Sequence, residues 1–292
     1  MAPKRKWKLT SRSRNVHEIE WNLTTASKPV DVLLISDAHW DNPQCIREKL
    51  EQDCREAIER DAPIISIGDF FCAMQGKFDK RSSKDSIRPE HQHGDYLDRL
   101  VSTAADWHEP YKSHFAIHGL GNHETAIRKH HETDLIERLT SQVQARGGIV
   151  QPGGYGGWVR FKLIMAGKTF SSRLYYHHGF GGGGPVTQGV IDWSRYLMHA
   201  EADIYAAGHI HYANNQTMMR AELTAAGQVQ QRKITFVRCS TYKDEYADGH
   251  GGFHVECGRG PRPIGGYWLT LKLQNGSDES GRITASVTDT VH

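Results

Sequence analysis

Residues 30–40 read VDVLLISDAHW, and the order of those letters decides the fold. The stretch 30–36 is apolar almost without interruption, which is the pattern of a strand covered on both faces. Asp37 and His39 follow it directly, so an acid and an imidazole stand where an α/β sheet collects its ligands, beyond the C-terminal end of a strand. The same grammar recurs down the chain. The run 63–67 (PIISI) ends in Gly68-Asp69, and 114–118 (HFAIH) leads into Gly121-Asn122-His123-Glu124. The strand expected at 173–177 ends in His177-His178-Gly179, and the one at 204–207 runs into Gly208-His209-Ile210-His211.

Helices separate these strands. The segment 43–60 opens with Pro43 and carries Ile46, Leu50, Cys54, Ala57 and Ile58 at spacings of three and four. Further helices are expected over 95–112, 124–145 and 190–200, and further strands over 18–25 and 158–165. The tail turns strand-rich, with pairs expected at 217–225/229–238 and 266–273/282–288. Strand–helix alternation predicts a mainly parallel sheet, and the tail predicts a second sheet packed on it. The expected architecture is a four-layer α/β/β/α sandwich with two facing mixed sheets. A basic arm and first strand would occupy 1–28, and one domain 29–292.

Composition sets the outer limits. The chain has 292 residues, 38% hydrophobic and 24% charged, ordinary values for a globular protein. It has no apolar run of about 18 residues and no apolar segment behind its basic start, so the expected location is the cytoplasm. Five cysteines without a C-x-x-C pair argue against a disulfide framework or thiolate zinc site. Six of the 36 cations lie in residues 1–14, which contain no acid, leaving 30 against 34 anions elsewhere. Such an arm could touch nucleic acid or another polyanion, or be a solvated tail.

In this order, and with all five motifs intact, the set Asp37-Ala38-His39, Gly68-Asp69, Gly121 to Glu124, His178 and Gly208 to His211 resembles the calcineurin-like metallophosphoesterase superfamily. The likeness spans about residues 30–212. It implies two divalent ions, Mn²⁺ first and Fe, Zn, Ni or Co as alternatives. Asp37, His39, Asp69 and His211 would hold one ion, and Asp69, Asn122, His178 and His209 the other, with Asp69 bridging. His123 would stand beside the substrate as general acid or phosphate-stabilising imidazole. The implied chemistry is attack on phosphorus by a hydroxide activated between the two ions. His178 rather than His177 is favoured as the ligand, because it directly precedes Gly179 and alternation along a strand sends the two rings to opposite faces.

Substrate contacts are less sharply marked. The glycine-rich loop 179–189, with Gly182 near its start, could bring backbone close to a phosphate or serve as a connector. Lys77, Lys80 and Arg81 in the loop after Asp69, and Arg128 one turn beyond the G-N-H-E motif, could meet a phosphate or simply be solvated. The loop and the GKFDKR insert at 76–81 look like features of phosphoesterases encoded by bacteriophages and prophages. The resulting expectation is a phosphodiesterase acting on nucleic acid or nucleotides. A phosphomonoesterase on nucleotides or phosphoproteins is the enzymatic alternative. A catalytically silent scaffold is the third reading, and the completeness of the ligand set weighs against it.

Overall fold

The apolar run at 30–36 forms strand β3 (Val30–Ile35) in a computed structural model, which describes residues 5–73, 87–184, 186–250, 252–274 and 282–291. β3 lies inside a six-stranded sheet ordered β13 (Arg282–Asp289), β12 (Tyr267–Gln274), β3, β4 (Ile64–Ser66), β5 (Phe115–His118) and β6 (Gln151–Pro152). From β3 to β6 the strands are parallel, while β12 pairs antiparallel with both β3 and β13. A seven-stranded sheet runs β1 (Trp7–Ser13), β2 (Val16–Asn22), β7 (Gly156–Met165), β8 (Lys168–His177), β9 (Ile204–Ala207), β11 (Val229–Arg238) and β10 (Asn214–Leu223). It too is mixed, with β8 parallel to β9 and β9 parallel to β11.

The pleat of β3 explains the layering, since successive side chains face opposite ways. Val32 and Leu34 join Ile19, Val159, Phe161 and Leu174 in an apolar core between the sheets. Leu33 and Ile35 face the other way, into a core shared with Leu50 of α1 (Arg47–Glu59), Leu100 of α2 (Tyr96–Trp107) and Leu139 of α4 (Leu135–Ala145). On the far side of the seven-stranded sheet, α5 (Asp192–His199) lays Trp193 and Tyr196 against Tyr205 and Phe236. The order of layers is therefore helices, sheet, sheet, helix. Among the described residues no helix is long and apolar enough to cross a membrane.

Three local expectations change. The helix read over 124–145 is two, α3 (Asn122–His131) and α4, because Glu132 turns left-handed (φ 54°) and the Asp134 carboxylate accepts from the Glu137 N–H at 3.0 Å. The signal was present as an Asp followed three residues later by Glu, a helix-start pattern. Second, the tail does not build its own sheet: β10 and β11 extend the seven-stranded one, while β12 and β13 extend the other. Third, much of the basic stretch is a strand. Trp7 is buried and Leu9 packs on the inter-sheet core, so β1 alternates beneath its cations. Arg12 pairs with Glu18 at 2.8 Å and Arg14 with Asp134 at 2.6 Å.

Candidate metal centre

The turns that follow β3, β4, β5, β8 and β9 meet at one edge of the sandwich, and backbone pairing continues past the strand ends to fix them. Asp37 N–H donates to Gly68 O and His39 N–H to Asp69 O, both at 3.0 Å; Gly208 N–H donates to His178 O at 2.9 Å. Five of the expected ligands then adopt left-handed backbone: Asp37 (φ 52°), His39 (45°), Asp69 (49°), His209 (76°) and His211 (56°). Such a conformation disfavours any residue with a Cβ, so the surrounding structure must impose it. Gly121 is needed for a different reason, because a Cβ there would collide with the Asp69 carboxylate.

Among the described residues, the expected ligands fall into two groups of donors. Asp37, His39 and His211 form one, and Asp69, His178 and His209 the other, with the donor atoms of each group within 4.8 Å of one another. His211 Nε2 lies 3.3 Å from Asp37 Oδ1 and 3.4 Å from His39 Nε2. His178 Nε2 lies 3.1 Å from Asp69 Oδ2, and Asn122 Oδ1 stands 3.1 Å from His178 Nε2 and 2.8 Å from His209 Nδ1. The far side of Asp37 is anchored: its Oδ2 accepts from Ser36 Oγ at 2.6 Å and from His209 N–H at 2.8 Å. Its Oδ1 is buried and has no hydrogen-bond partner. His177 turns away into aromatic neighbours, with rings of Tyr155 and Tyr196 at 5.2 and 5.5 Å.

Burial and close acid–imidazole pairs set the electrostatics of the pocket. Burial, followed by His123 and Lys243 nearby, holds the His39 imidazole well below its usual range, leaving it neutral with a lone pair to give. Burial opposes charge on His178 as well, but Asp69 and Asp37 more than offset it and lift its pKa to about 9. Burial would raise the Asp69 carboxyl, yet His178 and then His123 hold it well below the usual carboxylate range. Glu124, the last residue of the G-N-H-E motif, is a brace rather than a wall. It is buried, and its carboxyl accepts the N–H groups of Gly121, Phe71 and Asp69 at 2.8, 2.9 and 3.2 Å, tying two of the turns together.

These residues open onto a cleft of about 870 Å³, lined also by Gly181, Gly182 and Gly183. His123 lines it with its ring tautomer set by Nδ1, which donates to the Cys72 carbonyl at 2.5 Å. Its Nε2 is 3.8 Å from Asp69 Oδ2. The glycine loop touches the centre directly, with Gly181 O 2.9 Å from His209 Nε2. Arg128 does not line the cleft; it stands 3.8 Å from the Asp134 carboxylate. Lys77, Lys80 and Arg81 lie outside the described residues.

Sequence reasoning missed two supports. Arg238 is fully buried and donates to Gly208 O and Gly189 O, each at 3.0 Å, so one guanidinium clamps the G-H-I-H turn to the end of the glycine loop. Glu245 places Oε2 3.7 Å from His211 Nδ1 and 3.3 Å from His254 Nε2, while Lys243 Nζ holds its Oε1 at 2.6 Å. A carboxylate behind an imidazole orients the ring and raises its basicity. Neither contact leaves a local pattern in the sequence.

No family model matches the chain, and no curated protein matches it. Among solved structures, Vps29 of Chaetomium thermophilum is 9% identical, with 90% of this chain and 97% of that one covered and a TM-score of 0.33. GAP50, the anchor in the inner membrane complex of Plasmodium, is 12% identical over 89% of this chain and 84% of that one, at a TM-score of 0.40. The Thermotoga maritima protein TM1076 is 13% identical over 89% and 99%, at 0.26.

Proposed function

We propose that this chain is a metal-dependent phosphoesterase that holds two divalent ions and hydrolyses phosphodiesters of nucleic acid or nucleotides. The observation that carries the reading is the convergence, in one buried pocket, of the Asp37 and Asp69 carboxylates, the Asn122 amide oxygen and four imidazoles, with Asp37 Oδ1 shut away from water and facing His211 Nε2 at 3.3 Å. An ionised oxygen shut away from water without a well-formed hydrogen bond is costly, and a cation relieves it. The donor chemistry fits: oxygen and imidazole together suit Mn²⁺, and also Fe, Zn, Ni or Co. Asp37, His39 and His211 would hold one ion, Asn122, His178 and His209 the other, and Asp69 would serve both.

Two such ions, when bound, supply Lewis acidity toward a phosphoryl oxygen and lower the pKa of the attacking water. The chain's own residues do the rest. With Nδ1 committed to the Cys72 carbonyl, His123 can present Nε2 to the cleft and, when protonated, donate to the leaving oxygen. Gly181 to Gly183 let backbone approach the substrate without side-chain obstruction.

A Mn²⁺-dependent panel tests this: bis-aryl against mono-aryl phosphate, single-stranded DNA, duplex DNA, RNA, cyclic nucleotides and nucleoside monophosphates, each also with His123→Ala. The expected result is metal-dependent diester cleavage that falls about 100-fold or more in the variant, the share a positioned acid contributes. A strong preference for the mono-aryl ester would replace the reading with a phosphomonoesterase. Absence of divalent-ion binding with Mn²⁺ supplied would replace it with a scaffold.

A further inference from the structure

The cleft has a second wall that the proposed chemistry does not use. It is built by the segment leading from α6 (Phe253–Glu256) to Arg262, and it contributes Arg259 and Arg262 to the same cavity as His39, His123 and His211. Arg262 sits with Cζ 3.6 Å from the centroid of the Tyr212 ring, and Tyr212 directly follows the last expected ligand, His211. The Nε of Arg262 is buried and has no acceptor. Arg259 lies over Phe253 at 5.4 Å, and Phe253 is 50% exposed. Among the described residues neither guanidinium meets a carboxylate. That is not the habit of this chain, in which Arg12, Arg14, Arg60, Arg146, Arg173 and Arg232 each pair with an acid. Of the acids lining the cleft near this wall, Glu245 is already held by Lys243, and Glu256 is exposed.

A guanidinium seated on an aromatic ring keeps its N–H edge available and is already restricted, so it loses little freedom on taking a phosphate. Two such groups beside an aromatic face are the elements with which proteins grip a single strand: cations for the backbone and flat surfaces for bases. We infer that the Arg259–Arg262 wall, with Tyr212 and Phe253, binds the phosphates of a single-stranded polynucleotide next to the scissile bond. The inference rests on the phosphodiesterase reading of the centre and names its substrate as a strand rather than a small diester.

The test uses the full chain with Arg259→Ala, Arg262→Ala and Arg262→Lys. Binding of a fluorescent single-stranded DNA, a matching RNA and a duplex is followed by anisotropy in EDTA over a range of NaCl. Mn²⁺-dependent hydrolysis is measured in parallel on the strand and on a bis-aryl phosphate. Each alanine variant is expected to weaken strand binding about tenfold and to flatten the log Kd against log salt slope by about 0.7, the value of one phosphate contact on a single strand. The ratio of strand to bis-aryl kcat/KM should fall by a similar factor, with Arg262→Lys intermediate and melting temperatures unchanged. An unaltered strand affinity and salt slope in both alanine variants would overturn the inference. So would an equal loss on both substrates, which would assign the arginines to the centre itself, or tighter binding of duplex than strand. If the wild type binds the strand in this arginine-dependent way yet cleaves no diester, the wall stands and the phosphodiesterase reading fails.

Discussion

Arg238→Met removes the clamp while keeping most of the side-chain volume, and its cost can be worked from the contacts. The guanidinium is wholly buried; it bonds Gly208 O, Gly189 O and, at 3.1 Å, Asp192 Oδ2, and lies 4.8 Å from the Trp193 ring centroid. Without it two carbonyls lose their donor and Asp192, whose side chain is 15% exposed, loses its near partner. Breaking one side of a buried pair costs about 3–5 kcal/mol. Arg195 remains 3.9 Å from Asp192 at a solvent-exposed position, which favours the lower part of that range. With an unfolding entropy of about 2.1 cal/mol/K per residue, 292 residues give about 0.6 kcal/mol/K, so the melting temperature should fall by about 5–7 °C. Calorimetry in EDTA measures this without contribution from bound metal. Because Gly208 directly precedes His209, Mn²⁺ affinity measured by titration calorimetry should fall as well. The double variant Arg238→Met/Asp192→Leu should recover at least half the lost stability, since it removes the stranded acid. A drop below about 2 °C, or a double variant no more stable than the single, would refute the clamp.

Two other expectations are equally direct. His108 is buried, its Nδ1 donates to Ala104 O at 2.7 Å and its Nε2 lies 2.8 Å from His118 Nε2, and burial drives its pKa down to about 4 against the opposing pull of the Ala104 carbonyl. It is neutral in the fold but takes a proton when unfolded, so stability present above the unfolded value of about 6.5 is lost as pH falls toward 4, by about 3 kcal/mol at full effect. Urea midpoints of His108→Gln should depend less on pH across that window than those of the wild type, and parallel curves would count against the assignment. Glu245→Gln keeps the shape behind His211 but removes the charge, so Mn²⁺ should bind about 10- to 100-fold more weakly. Identical binding isotherms would show that Glu245 does not orient the imidazole.

The fold was largely legible because its evidence is local. The run at 30–36, the short apolar run at 204–207 and the helical spacing at 43–60 each act within a few residues, and each formed the element expected. The gathering of Asp37, Asp69, Asn122, His178, His209 and His211 at one edge was legible for a related reason, since each directly follows an apolar strand. What the letters hid was nonlocal or masked by charge. Density of Lys and Arg concealed the Trp7/Leu9 alternation of β1. The helix break before Asp134 carried neither Gly nor Pro. Arg238 and Glu245 reach the G-H-I-H turn across 30 or more residues, and no periodicity records such contacts.

The left-handed residues of the candidate centre carry a consequence for the chain as a whole. Asp37, His39, Asp69, His209 and His211 each hold a backbone shape that glycine would adopt freely. At about 1 kcal/mol or more apiece, the five together withhold about 5 kcal/mol, comparable to the net stability of a modest domain. At these positions robustness and chemistry pull in opposite directions. Glycine at His39 or His211 would relax its turn while deleting an imidazole of the candidate centre; at Asp37 and Asp69 it would also remove carboxylates that accept the N–H groups of His209 and His123. A search for thermal resistance alone would therefore favour losing the imidazoles of the candidate centre.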